Sequence, residues 1–283
     1  MVRKVWFILA AALCISCGKL EIKNMLFPYA EDVNIRVAES LGWNDKAGVT
    51  TLTVPEDDYR FYACTDIHIE DSRPENFAAM VQKEKADEKS AFYLVLGDLL
   101  FGKEHMEWVD ETMSAAGNDP GFVIAGNHDI FYDGWSQWLD LFNSSTYYFF
   151  IQTPSAKDIY IMLDSANGTR GEKQLAWLEG VFATQRPGCR HCIVGVHTNM
   201  FRTDASQLPS TNFTLEETYR LTALFSKNVV DTVLSGHDHF RDVSVYNGVT
   251  YITLDQIKDG TSNASYMIFD MGQCVDYQFV PCK

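Results

Sequence analysis

The chain has 283 residues, 46% of them hydrophobic and 22% charged, enough to bury a sizeable core in one large domain. Its formal net charge is −15 and it has no Lys/Arg cluster, so it lacks the electrostatic footprint of a protein that binds the backbone of a nucleic acid polymer. Phosphate chemistry on so acidic a chain needs a local source of positive charge, and bound metal ions are one such source.

The N-terminus reads as an export signal. Arg3 and Lys4 precede an apolar run from Val5 to Ile15, which falls short of the ~20 residues a bilayer-spanning helix needs. Small residues follow, and "LCISCGK" resembles the lipobox of bacterial lipoproteins, with Cys14 where Leu is usual. Residues 1–16 are therefore expected to be a signal peptide and Cys17 the lipidated residue, with cleavage by an ordinary signal peptidase as the alternative. The protein is expected to be exported, periplasmic or on the outer cell surface, and membrane-bound through its lipid alone.

Residues 17–57 show no clean hydrophobic period and read as an anchor linker and N-terminal extension packed on a domain that spans 58–283. From Tyr59 the pattern changes. The runs "FYACTDIHI", "AFYLVLGDLL", "GFVIAGNHD", "DIYIMLDS", "CIVGVHTN" and "DTVLSGHDH" each close on Gly, Asp, Asn or His, as strands buried on both faces do. Helices are expected between them at Pro74–Lys89, His105–Ser114, Trp135–Phe142, Glu172–Thr184 and Leu215–Phe225, with Pro74 at a first helical position. Further on, "VSVYNGVTYITL" is a hairpin around Asn247-Gly248, and "ASYMIFDMGQCVDYQFV" reads as a second one. Cys64 reads as a buried thiol. The close pairs Cys189/Cys192 and Cys274/Cys282 suit disulfides in an exported protein. "CRHC" also matches a redox or zinc motif, but no second Cys-x-x-Cys completes a zinc site, and His191 within it reads as structural.

The strand ends carry the chemistry. They deliver Asp66 and His68, then Asp98, then Asn127, His128 and Asp129, then His197, then His237 and His239. Residues i and i+2 of an extended segment share a side, so Asp66 with His68, and His237 with His239, can reach one ion together. Ligands of open α/β sheets gather outside the carboxyl ends of the strands. Glycines before Asp98, Asn127 and His237 permit tight turns and close backbone approach.

The ordered blocks "DIH", "GD", "GNHD", "GVH" and "GHDH" resemble the calcineurin-like metallophosphoesterase superfamily. "LDS" at 163–165 with "QLAWLE" at 174–179 is also similar to members related to class III cyclic-nucleotide phosphodiesterases and purple acid phosphatases. The resemblance implies an α/β fold, a four-layer α-β-β-α sandwich of two mixed sheets with the metal site at the strand C-terminal ends. It implies that Asp66, His68, Asp98 and His239 hold one divalent ion and that Asp98, Asn127, His197 and His237 hold a second, with Asp98 as the bridge. Manganese, iron or zinc suits such imidazole and carboxylate sites.

Carried over in the same way, His128 faces the substrate, stabilising charge or protonating the leaving group, and Asp129 holds its ring. A metal-bound hydroxide attacks phosphorus in a phosphomonoester or phosphodiester. Some superfamily members serve instead as non-catalytic binding scaffolds. The purple acid phosphatases place a Tyr ligand where this chain has Phe101, and they lack the histidine that His68 provides. Tyr132, Trp135 and Arg202 are candidate substrate contacts, Tyr132 and Trp135 for a ring-bearing leaving group and Arg202 for a phosphate oxygen. A small phosphorylated molecule is the expected substrate, and no nucleic acid polymer is expected as a partner.

Overall fold

In the stretch Tyr59–Cys64 every residue but Arg60 is buried, and neighbours face opposite ways. Phe61 and Ala63 enter one apolar cluster, Tyr62 and Cys64 another. A strand apolar on both faces needs cover on both faces. The computed structural model describes residues 31–100, 102–115 and 120–282. The expected signal peptide at 1–16, the lipidated Cys17, the first part of the 17–57 extension and Phe101 lie outside the described residues.

The chain begins with α1 (Val33–Ala47), β1 (Thr51–Thr53), β2 (Tyr59–Cys64), α2 (Glu75–Lys85), β3 (Ser90–Val95), α3 (Lys103–Ala115) and β4 (Gly121–Val123). It continues with α4 (Gly134–Phe142), β5 (Tyr147–Gln152), β6 (Lys157–Met162), α5 (Gly171–Thr184), β7 (Cys192–Gly195), α6 (Leu215–Lys227) and β8 (Thr232–Ser235). It closes with the hairpins β9 (Asp242–Tyr246) with β10 (Val249–Thr253) and β11 (Ser265–Met271) with β12 (Val275–Pro281). One sheet has the order β1-β5-β6-β7-β8-β10-β9, the other β12-β11-β2-β3-β4, and both mix parallel and antiparallel pairs.

The two sheets face each other across Phe61, Phe92, Phe149, Tyr160, Ile252 and Phe269. Helices α2, α3 and α4 cover the outer face of the five-stranded sheet through Phe77, Met106 and Trp138. Helices α5 and α6 cover the seven-stranded one through Leu178, Phe182, Leu221 and Phe225. This is the four-layer α-β-β-α sandwich of two mixed sheets that the sequence predicts. The parallel strands β2, β3, β6, β7 and β8 all end at one edge, where the loops rich in Asp and His begin. No helix among the described residues is long and apolar enough to cross a membrane.

Helix α1 is absent from the sequence reading, which found no period before residue 58. Its inward face is Val33, Arg36, Val37 and Ser40, so half of the buried positions are polar and the apolar stripe is broken. Strand β1 then pairs with β5, which ties the extension into the seven-stranded sheet. Strand β5 was also missed, because the preceding Asn143–Thr146 hold neither Gly nor Pro. Helix α2 stops at Lys85 rather than Lys89, and Pro74 is its N-cap rather than its first helical residue. Asp87 turns the chain there, its side chain accepting from the Lys89 N–H and holding Arg60 and Tyr62. The disulfide reading fails for the five described cysteines. All are free thiols, and burial pushes Cys189 and Cys192 above the usual thiol range, against a redox role for the pair.

Candidate metal centre

The ligand-type residues do not lie on extended strand, as the i, i+2 argument assumed. β2 ends at Cys64 and β8 at Ser235, and the backbone then turns left-handed: φ is 54° at Asp66, 44° at His68, 56° at Asp98, 74° at His237 and 64° at His239. Each such non-glycine residue costs roughly 1–2 kcal/mol. Cross-loop bonds hold the shape. The N–H groups of Asp66 and His68 donate to the carbonyls of Gly97 and Asp98 at 2.9 and 3.0 Å. The curled turns still bring Asp66 and His68 to one point, but they send His237 and His239 to different points, so the spacing argument holds for the first pair and fails for the second. At Gly126 and Gly236 a side chain would fall onto the cluster itself. A Cβ on Gly126 would fall onto the Asp98 carboxylate, and one on Gly236 onto Thr65 and the Asp66 carboxylate.

Two clusters result. Asp66, His68, Asp98 and His239 offer ligand atoms to one point, and Asp98, His197 and His237 to another. The two share one atom, Asp98 Oδ2, which is 3.5 Å from His68 Nε2 and 3.3 Å from His197 Nε2. Asn127 joins the second set, its Oδ1 being 3.1 Å from His197 Nε2 and 2.9 Å from His237 Nδ1. His197 Nδ1 lies 2.8 Å from the Leu96 carbonyl, which can only accept, so Nδ1 carries a proton and Nε2 is the nitrogen turned toward the ligand point, where an ion would displace its proton.

The first set has the unfinished look of a cation site. Asp66 Oδ1 is buried without a hydrogen-bond partner, 3.2 Å from His239 Nε2 and 3.5 Å from His68 Nε2. Those two ring nitrogens are themselves 3.0 Å apart. A buried carboxylate oxygen and two imidazole nitrogens converging on one point fit a divalent ion of the manganese, iron or zinc kind. The electrostatics agree. Burial alone would raise both carboxyls, yet the surrounding imidazoles hold Asp66 well below the carboxylate range and Asp98 below it too. In return, although burial opposes it, the Asp98 charge leads in pushing His197 up to about 10. The cluster draws positive charge inward.

The residues around the ligands divide. His128 stands at the mouth, its side chain 24% exposed and its Nε2 4.0 Å from Asp98 Oδ2, with the rings of His68 and Phe131 at 4.9 and 5.2 Å. Its N–H donates to Asp98 Oδ1 at 2.9 Å. Asp129 was expected to hold the His128 ring. Its two oxygens are instead taken by four backbone N–H groups, those of Asp98, Leu99, Leu100 and Gly126. A carboxylate has about four lone-pair sites, so Asp129 fixes the Asp98 turn. Tyr132 is 44% exposed beside the site, and Arg202 is exposed. Trp135 is only 4% exposed and belongs to the packing of α1, with Nε1 donating to Glu39 at 2.7 Å and Arg36 over its ring. It does not line the mouth.

Sequence reasoning missed the residues that hold the ligands' backbones. Ser165 Oγ accepts from the N–H groups of His197 and Thr198 at 3.0 and 2.9 Å. Asn199 Nδ2 reaches Asp238, between His237 and His239, at 2.8 Å. The signal for Ser165 was its place directly after a buried strand in "LDS". Asn199 and Asp238 carry no motif of their own.

Residues 59–241 match the family model described as calcineurin-like phosphoesterase. No curated protein sequence matches the chain. Solved structures share its fold at low identity. The anchor in the inner membrane complex of Plasmodium is 17% identical with a TM-score of 0.62, over 81% of this chain and 86% of that one. A dimetal phosphatase from Danio rerio is 15% identical with a TM-score of 0.57, over 80% and 99%. The purple acid phosphatase of yellow lupin (Lupinus luteus) seeds is 13% identical with a TM-score of 0.60, over 80% of this chain and 52% of that one.

Proposed function

The chain belongs to the calcineurin-like phosphoesterase family, and from that premise we propose that it hydrolyses a monoester or diester of a small phosphorylated molecule at a two-ion centre. The observation that carries this reading is the single oxygen, Asp98 Oδ2, shared by two complete ligand sets. Asp66, His68, Asp98 and His239 would hold one ion; Asp98, Asn127, His197 and His237 would hold the other. When bound, the ions supply positive charge to the phosphoryl oxygens and acidify water at the site.

The chain's own groups do the rest. The backbone N–H of His128 holds the main chain that carries its ring against the Asp98 carboxylate. The His128 ring then gives its proton to the departing oxygen. Phe131, beside that ring, and the exposed Tyr132 offer apolar surface to the leaving group. The acidic surface disfavours a polymeric polyanion. Export and anchoring through Cys17 are part of the same proposal, supported by the basic, apolar, small order of residues 3–18.

A second reading is a binding scaffold without turnover, which the likeness to the Plasmodium anchor favours. The filled ligand set and His128 weigh against it. The chain, stripped of metal and reloaded with manganese, is to be assayed on bis(p-nitrophenyl) phosphate and p-nitrophenyl phosphate. Metal-dependent turnover that Asp98→Ala abolishes supports hydrolysis. A folded, doubly loaded protein that turns over neither these esters nor natural phosphoesters supports the scaffold.

A further inference from the structure

Asp238 sits between His237 and His239, which belong to different ligand sets. Its Oδ2 accepts from Asn199 Nδ2 at 2.8 Å and from Thr203 Oγ1 at 3.2 Å. Both donors lie on the segment that follows His197. That segment folds back on itself, with Phe201 bridged to Pro209, the Arg202 N–H on the Leu208 carbonyl at 2.9 Å and the Ser210 N–H on the Met200 carbonyl at 2.9 Å. Residues 199–210 thus form a flap across the His237–His239 turn, and the Ala205 N–H adds a bond to Asp242 Oδ1 at 3.2 Å.

We propose that Asn199 and Asp238 form a latch through which this flap positions a ligand of each ion, although the flap itself holds neither. The inference rests on the two-ion reading above.

Asn199 is built as a fixed point. It is fully buried. Besides Asp238, its Nδ2 reaches the Phe201 carbonyl at 2.8 Å, its Oδ1 accepts from Asn212 Nδ2 at 2.7 Å, and its carbonyl accepts from Ser210 Oγ at 2.9 Å. A side chain so engaged cannot rotate away without leaving buried polar atoms unpaired. The turn it grips is under strain, since His237 and His239 are both left-handed non-glycine residues. A hydrogen bond to a carboxylate and the strain of one left-handed residue are similar in size, so two such bonds are enough to decide how the turn sits. Asp238 is the hinge of that turn. A change in its position moves His237 and His239 together, and therefore both sites.

The test is a titration of the metal-free full chain with zinc against a chromophoric chelator, which resolves two dissociation constants. Thermal unfolding of the metal-free protein is measured in parallel. Asn199→Asp sets two carboxylates against each other. It is expected to weaken both constants, by about 10- to 100-fold each as loss of a supporting hydrogen bond does. Thr203→Val removes only the longer bond and weakens both by less. The exchange Asn199→Asp with Asp238→Asn restores an N–H···O bond with donor and acceptor reversed, and is expected to recover part of the loss, the Phe201 carbonyl being left without its donor. The proposal is overturned if Asn199→Asp binds both ions like wild type, if it lowers the unfolding temperature alone, if only one constant moves, or if the exchange recovers nothing. A wild-type chain that takes up fewer than two ions sinks the two-ion reading itself, which that control shows separately.

Discussion

Arg36 clasps Asp164 through two bonds of 2.7 Å, Nε to Oδ2 and Nη2 to Oδ1, with both side chains fully buried. The pair joins α1 to the loop after β6, one residue before Ser165, which holds the backbone of His197. A buried ion pair adds little net stability, because desolvation offsets attraction, but removing one partner strands the other charge. Arg36→Ala is therefore expected to destabilise the protein by roughly 3–5 kcal/mol in denaturant unfolding. Arg36→Lys recovers only part, since an ammonium cannot make the forked contact. Arg36→Met combined with Asp164→Leu recovers most of it. A single Arg36→Ala variant as stable as wild type would refute this account.

Asp129→Asn isolates the other buried carboxylate. Four N–H groups point at its two oxygens. An amide replaces one oxygen with a donor, so two backbone N–H groups lose their acceptor, at about 1–3 kcal/mol for each buried group left unsatisfied. Two of the four belong to Asp98 and Gly126, which shape the bridging turn. The expected result is lower stability together with weaker metal uptake. Lower turnover with stability and metal uptake unchanged would return Asp129 to the role of orienting His128.

The candidate site was more legible than its scaffold. Asp66, His68, Asp98, Asn127, His197, His237 and His239 stand in order at the ends of recognisable strands, because ligand chemistry restricts residue type at each place. The sandwich followed from apolar runs that must be covered on both faces. What stayed hidden depended on long-range partners. Helix α1 buries Arg36 and Ser40, which read as polar until Asp164 and the Ser145 N–H are seen against them. Asp129 looked like a ring partner because it follows His128 directly, whereas its donors come from residues up to 31 positions away. The left-handed turns were unreadable because nothing in "TDIHI" distinguishes a curled segment from a strand.

On the proposed reading His128 faces the substrate, and it can be removed without touching a residue of either ligand set. His128→Gln is expected to keep both ions by elemental analysis and to slow hydrolysis by about 10²–10⁴-fold when the leaving alcohol is a poor one. With p-nitrophenol, which departs without help, the loss should be much smaller. An equal loss for both leaving groups would mean that His128 stabilises charge on the phosphoryl group rather than delivering a proton.

His191 gives a pH dependence away from the ions. Its Nε2 lies 3.0 Å from the Gly272 carbonyl and its Nδ1 3.2 Å from Asp231 Oδ1. Both partners accept, so both ring nitrogens donate and the bound form is the imidazolium. It bridges the start of β7 in one sheet to the β11–β12 turn of the other. The Asp231 carboxylate leads in raising its pKa, burial opposes, and the Gly272 carbonyl and the charge of Asp158 add to the rise. The sign follows from linkage: a group whose pKa is higher in the folded chain stabilises it fully below the unfolded value of about 6.5, and that contribution fades as pH rises through the folded value. Denaturant unfolding of the metal-free chain at pH 5.5 and 8.5 should therefore show wild type losing more stability with rising pH than His191→Gln does. The remaining titrating groups are common to both chains and cancel in the difference. If the two chains lose the same amount, His191 is neutral in the folded protein and the bridge to Asp231 carries no charge.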